Sequence, residues 1–136
     1  MDAAVADAAA GVMTMWLPLL AVATAGNAAC PADFPAFWRR FAGDAAFQRR
    51  HTAATLDVSW MDNDGPLPRE VHGRRRMRAV HFPLELPAPA DVRVTPTGKS
   101  RIMVTITKPD TDWQIRLTFR RDPPCWRLVR HADDLL

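Results

Sequence analysis

The chain has 136 residues, 48% of them apolar and 24% charged, with 18 basic and 15 acidic side chains and a net charge of +3. That length makes one small domain, and that balance excludes wholesale disorder. Two cysteines exclude a zinc ribbon or a dense disulfide framework, and the absence of P-loop, GxGxxG, HExxH, GxSxG and CxxC motifs leaves no cofactor or catalytic residue to expect.

The first element in chain order is a leader. Residues 12–25 are an apolar run broken by Pro18 and followed by small residues. A membrane-spanning helix needs about 20 apolar residues, so the run is too short to span and reads as the hydrophobic region of a signal peptide. Residues 1–29 are therefore expected to be a signal peptide or lipoprotein leader, with the mature chain starting between Gly26 and Cys30. Residues 30–136 are then a single domain exported to the periplasm or envelope. One feature departs from this pattern: no basic residue precedes the run, and Asp2 and Asp7 have the wrong sign. An Ala-rich helix packed on a cytosolic domain and an uncleaved anchor are the alternatives. Cys30 has three competing fates. It can pair with Cys125, closing a loop of roughly 95 residues worth on the order of 4–5 kcal/mol. It can carry a lipid, since Asn27-Ala28-Ala29 fits two of the three positions before a lipidated cysteine, or it can stay a free thiol.

Asp33 is a helix N-cap with Pro35 in the first turn. Phe34, Phe37, Trp38, Phe41 and Ala45 follow at helical spacing and form one aromatic face. Gly43-Asp44 closes this helix and caps a second short one carrying Phe47. From residue 52 the period changes to two. A first strand is expected at residues 55–60, a turn-rich loop at 61–72 and a second strand at 77–82, with Pro83, Pro87 and Pro89 marking an irregular crossing. Strands around 92–94, 102–107, 113–120 and 126–130, separated by turns at 96–99, 109–112 and 122–124, make an antiparallel meander. Its inward row is Ile102, Val104, Ile106, Trp113, Ile115, Leu117, Phe119, Trp126 and Leu128, with no titratable group. The fold class is α+β: one N-terminal helix, or two short ones, packed on a curved antiparallel sheet of four to six strands.

The aromatic helix, Asp44-Ala45-Ala46-Phe47-Gln48, and the closing Trp126-Arg127-Leu128 with Asp133 resemble a set of small exported bacterial proteins. Those are similar to the cystatin-like, or nuclear transport factor 2-like, roll superfamily. The likeness covers residues 34–50 and 113–133. It implies a roll and export, and it transfers no catalytic residue, because such relatives mostly lack a known activity.

Charge guides the remaining expectations. Residues 1–29 hold two acidic side chains and no basic one, so without them the net charge is about +5. Sixteen of the 18 basic residues are Arg. Arg74, Arg75, Arg76 and Arg78 form the densest run, and Arg116, Arg120 and Arg127 share the outward side of the meander. Guanidinium groups suit bidentate carboxylate recognition, so the expected partner is a protein with an acidic surface. Nucleic acid is disfavoured, because the chain has no Tyr and no aromatic residue interleaves the Arg row. His51, His72, His81 and His131 fall at no metal-ligand spacing, and Asp57, Asp62, Asp64 and Glu70 cluster in or beside the long loop. The leading expectation is thus a non-enzymatic exported binding module, an immunity or inhibitor protein against a periplasmic toxin being one version. A pocket enzyme or small-ligand carrier of the roll type is the other class. Polar residues lining a helix–sheet pocket favour the carrier; a solid aromatic core favours the protein binder. Oligomeric state is not encoded in any pattern found.

Overall fold

A computed structural model describes residues 30–135, so the expected leader lies outside the described residues. The elements are α1 (Phe34–Gly43), α2 (Ala45–Arg50), β1 (Thr52–Asp62), β2 (Arg69–Arg76), a 3₁₀ turn (Met77–Ala79), β3 (Asp91–Gly98), β4 (Arg101–Thr107), β5 (Gln114–Asp122) and β6 (Cys125–Asp133). The strands form one sheet in the order β2-β1-β6-β5-β4-β3. Neighbours are antiparallel except β1 and β6, which run parallel. The parallel pair follows from the connection: the segment after β2 crosses to the far edge, and the β3–β6 meander walks back until β6 reaches β1.

Local chemistry accounts for the helices. The Asp33 carboxylate accepts the Ala36 N–H at 3.2 Å, and the Asp44 carboxylate accepts the Phe47 N–H at 3.0 Å, so each helix starts on a side-chain cap. Phe34, Phe37 and Phe41 on α1 and Phe47 on α2 are buried. Phe119 of β5 receives Phe34, Phe37 and Phe41 at centroid separations of 5.4, 5.6 and 5.0 Å, all edge-on. Along the inward row Val104, Ile106, Ile115, Leu117, Phe119, Trp126 and Leu128 are buried, while Ile102 and Trp113 pack at the margin. Gln48, Thr52 and Ser59 are the buried polar residues among those described, and Gln48 links two parts of the core. Its amide donates to the Phe41 carbonyl at 2.8 Å, and its side-chain oxygen accepts the Leu84 N–H at 2.8 Å. One side chain therefore ties the end of α1 to the crossing segment.

The middle of the chain corrects two expectations. The second strand is not at residues 77–82, nor does the loop run through 61–72; β2 occupies Arg69–Arg76, and Met77–Ala79 is the 3₁₀ turn. The reason is that β2 is an edge strand reading Arg-Glu-Val-His-Gly-Arg-Arg-Arg, with only Val71 and Gly73 half-buried. Backbone pairing to β1 over eight residues holds it, and such pairing leaves no apolar alternation to read. The apolar residues Val80, Phe82, Leu84 and Leu86, in contrast, cover the sheet as irregular chain packed on the core.

Candidate functional site

The helix-bearing face of the sheet has a polar end, and a β-bulge creates it. In β6, Phe119 of β5 pairs with Leu128 while the adjacent Thr118 pairs with Arg130, so Val129 is an extra residue. Regular alternation from Trp126 and Leu128 would put Arg130 inside and His131 outside. The bulge reverses this: His131 pairs with Leu117 and with Val58 of β1 on the inner face, and Arg130 faces out opposite Thr118 and Asp57. The expectation that the inward row holds no titratable group is therefore corrected. A period-two reading cannot see a bulge.

His131 lines a cavity of about 150 Å³ with Leu56, Val58, Arg75, Val80, His81 and Leu84. β1 supplies the floor, β2 the arginine, and the crossing segment the cover. Burial lowers the His131 pKa below its ordinary value near 6.5, with Asp133 opposing the shift and Arg75 adding to it. The imidazole is thus neutral at pH 7 and offers one donor and one acceptor nitrogen. None of the lining residues is a carboxylate, serine or cysteine.

The arginines singled out from the sequence do not form one patch. Successive residues on a strand face opposite ways, so the run in β2 is divided. Arg74, Arg75, Arg76 and Arg78 are all exposed, but Arg74 pairs with Asp57 across β1 at 3.4 Å and Arg75 lines the cavity rim opposite Leu56. Arg116 is not an uncompensated charge: its Nε and Nη2 donate to the Asp134 carboxylate at 2.7 and 3.1 Å, and Glu70 lies 3.9 Å away. Arg130 sits 3.7 Å from the same Glu70. Arg127 donates to Asp122 at 2.9 Å. Only Arg120, exposed between Arg101 of β4 and Arg127 of β6, keeps the character expected of the row. Of the carboxylates in or beside the long loop, Asp57 and Glu70 are paired as above, and Asp62 is engaged as well. Asp62 accepts from the Asp64 N–H and from Arg69, which lower its pKa.

Cys30 and Cys125 are joined in a disulfide, with Cα atoms 5.5 Å apart. A sulfur in that bond and a sulfur carrying a lipid exclude one another. Beside the bridge stands His51, whose Nδ1 is 3.4 Å from the Cys125 sulfur. The ligand atoms of Cys30, His51 and Cys125 all lie within 4.8 Å of one another. Local histidine spacing misses this group because the cysteines are 95 residues apart. Among the described residues, no helix is long and apolar enough to cross a membrane.

No protein-family model matches the chain, and no curated protein matches it. The chain is similar to the crystal structure of a nuclear transport factor 2-like protein from Bacteroides fragilis, with a TM-score of 0.56 and 21% identity over 74% of this chain. That match spans 46% of the other protein, so the present chain corresponds to less than half of it. At this identity the likeness establishes the fold: two helices packed on a six-stranded, mostly antiparallel sheet in a nuclear transport factor 2-like roll.

Proposed function

We propose that the chain is a binding module whose site is the His131 cavity, and that its ligand is a small carboxylate with a short apolar body. One observation carries this reading: a guanidinium, Arg75, and two imidazoles, His81 and His131, share a single cavity with Leu56, Val58, Val80 and Leu84. Arginine recognises a carboxylate with two parallel N–H donors, and a neutral imidazole adds a third. The volume supports a small occupant, since a cavity of about 150 Å³ accommodates benzene and typical drug-sized sites run to about 300–1,000 Å³. The lack of a nucleophile or carboxylate among the lining residues supports binding rather than catalysis. The disulfide supports work in an oxidising compartment, with residues 1–29 as the export leader.

The test is a nuclear magnetic resonance titration with butyrate, valerate and benzoate, each paired with the alcohol of the same skeleton. The expected result is that the carboxylates shift Leu56, Val58 and His131 resonances, that each alcohol binds roughly tenfold more weakly, and that Arg75→Gln removes the difference. Equal binding of acid and alcohol, or no shift at about 10 mM, overturns the reading.

A second reading rests on Arg101, Arg120 and Arg127, which stand side by side across β4, β5 and β6 with one carboxylate, Asp122, bonded to Arg127. Like charges opposite one another on a sheet are unfavourable, so an acidic protein surface laid over them gains. A periplasmic toxin held by an inhibitor is one such partner. Charge reversal at Arg101 and Arg120 then abolishes capture of a protein from the host's envelope extract at low salt. Unchanged capture by the reversed protein, or none by the wild type, excludes this face.

A further inference from the structure

We infer that reduction of the Cys30–Cys125 disulfide turns its surroundings into a zinc site, with Cys30, Cys125 and His51 as ligands and one position left to water. The donor set fits the ion: two thiolates and an imidazole leaving an open fourth position are an established zinc environment. Distances fit as well. Tetrahedral zinc with sulfur at about 2.3 Å and nitrogen at about 2.0 Å holds neighbouring ligand atoms roughly 3.5–3.8 Å apart. His51 Nδ1 is already 3.4 Å from the Cys125 sulfur, and all three donors lie within 4.8 Å. The main movement required is the parting of the two sulfurs once their bond is gone.

The three residues are held in place by contacts other than that bond. His51 caps α2, with its N–H donating to the Phe47 and Gln48 carbonyls and its own carbonyl accepting the Leu128 N–H at 2.7 Å. Its ring packs on Phe47 at 4.2 Å and meets Phe37 edge-on at 5.7 Å. Cys125 opens β6 and is 7% exposed. The segment bearing Cys30 is fastened two residues on, where the Trp126 indole N–H donates to the Ala32 carbonyl at 3.2 Å, and Phe34 then packs against Trp126 at 5.3 Å. Metal sites built on such supported positions need little reorganisation to fill.

The conversion balances with a dithiol reductant. One of its thiolates attacks a cysteine sulfur and breaks the Cys30–Cys125 bond. Its second thiolate then displaces the protein sulfur and closes the reductant's own disulfide, leaving both protons on the two cysteines. Zinc binding releases those two protons as two Zn–S bonds form, while His51 Nδ1 gives its lone pair. The site uses none of the residues of the His131 cavity, so it stands or falls independently of the proposed ligand.

The experiment uses protein reduced anaerobically with a dithiol, freed of it, and titrated with cobalt(II) and then zinc(II). Expected are one cobalt per chain with thiolate-to-cobalt charge-transfer and tetrahedral ligand-field absorption, displacement by one zinc, and release of two protons. The oxidised protein is expected to bind neither ion. His51→Gln is expected to weaken zinc about tenfold or more and alter the ligand-field spectrum, with circular dichroism of its oxidised form confirming the fold. If the reduced chain unfolds, zinc restoring its circular dichroism supports the site, because metal binding then drives folding. Failure to bind or to refold, equal binding by the oxidised protein, or an unchanged affinity in His51→Gln overturns it.

Discussion

The two ends of the helix-bearing face solve the same problem differently. At one end α1 lies over β5 and β6, and Phe34, Phe37, Phe41 and Phe119 close the space with rings 5–6 Å apart. At the other end, beside β1 and the bulged part of β6, no α-helical residue lines the cavity. The irregular segment carrying Val80, His81 and Leu84 covers them, and a cavity of about 150 Å³ remains. A helix presents a continuous apolar stripe that can interdigitate with a sheet, whereas a proline-punctuated segment brings isolated side chains. Space and titratable groups accumulate where cover is irregular. That is why the candidate site lies beside β1 and not beneath the aromatic helix.

This contrast is open to direct attack. The largest effect is expected at the closed end: Phe37 is fully buried among rings, so Phe37→Ala lowers unfolding free energy by about 3–5 kcal/mol in chemical denaturation. Trp38, only partly buried and 6.0 Å from Phe41 and Phe119, loses less when truncated than Phe37 does. A loss below about 1 kcal/mol for Phe37→Ala means the closed end is not packed as described. Next comes the link between the ends. Gln48→Leu strands the Leu84 N–H and the Phe41 carbonyl, and about 2–4 kcal/mol is lost, about 1–2 for each buried group left unpaired. An unaltered melting temperature in this variant removes Gln48 as the tie.

A smaller effect belongs to His131 and depends on pH. Its folded pKa is lowered, so between that value and about 6.5 the unfolded chain binds the extra proton. Stability therefore falls as pH drops below about 6.5 and levels off below the folded pKa. His131→Gln flattens this slope in a melting series from pH 8 to pH 5. A residual slope comes from His51, whose pKa burial and Arg50 also lower. An identical pH profile in His131→Gln places the imidazole in water. The smallest effect is expected from filling the open end. Val80→Phe changes stability by less than about 1 kcal/mol, against the 1–3 typical of overpacking a closed core, yet removes carboxylate binding. A large destabilisation here means the cavity is closed core.

The sequence by itself determined the elements that rest on local chemistry. Asp33 and Asp44 mark both helix starts because a carboxylate at an N-cap satisfies free backbone donors within three residues. The meander strands are legible because one buried face forces alternation, as in Ile115, Leu117 and Phe119. The family likeness carried by Asp44-Ala45-Ala46-Phe47-Gln48 and Trp126-Arg127-Leu128 pointed to the roll that the structure shows. Only the tertiary structure decided β2, whose Arg-rich edge is held by backbone bonds that carry no side-chain signature. It also decided the fate of the arginines. Arg116 meets Asp134 from beyond β6, and Arg75, itself exposed, lies on the cavity side of β2 while Arg74 lies on the other face. His131 depends on it most. One extra residue at Val129 shifts every following side chain to the other face, and the local sequence leaves no mark of that shift, because a bulge is set by how two strands pair. The cavity, its histidine and the Cys30–His51–Cys125 group all arise from residues distant in sequence, brought together by sheet pairing and a chain crossing that periodicity does not encode.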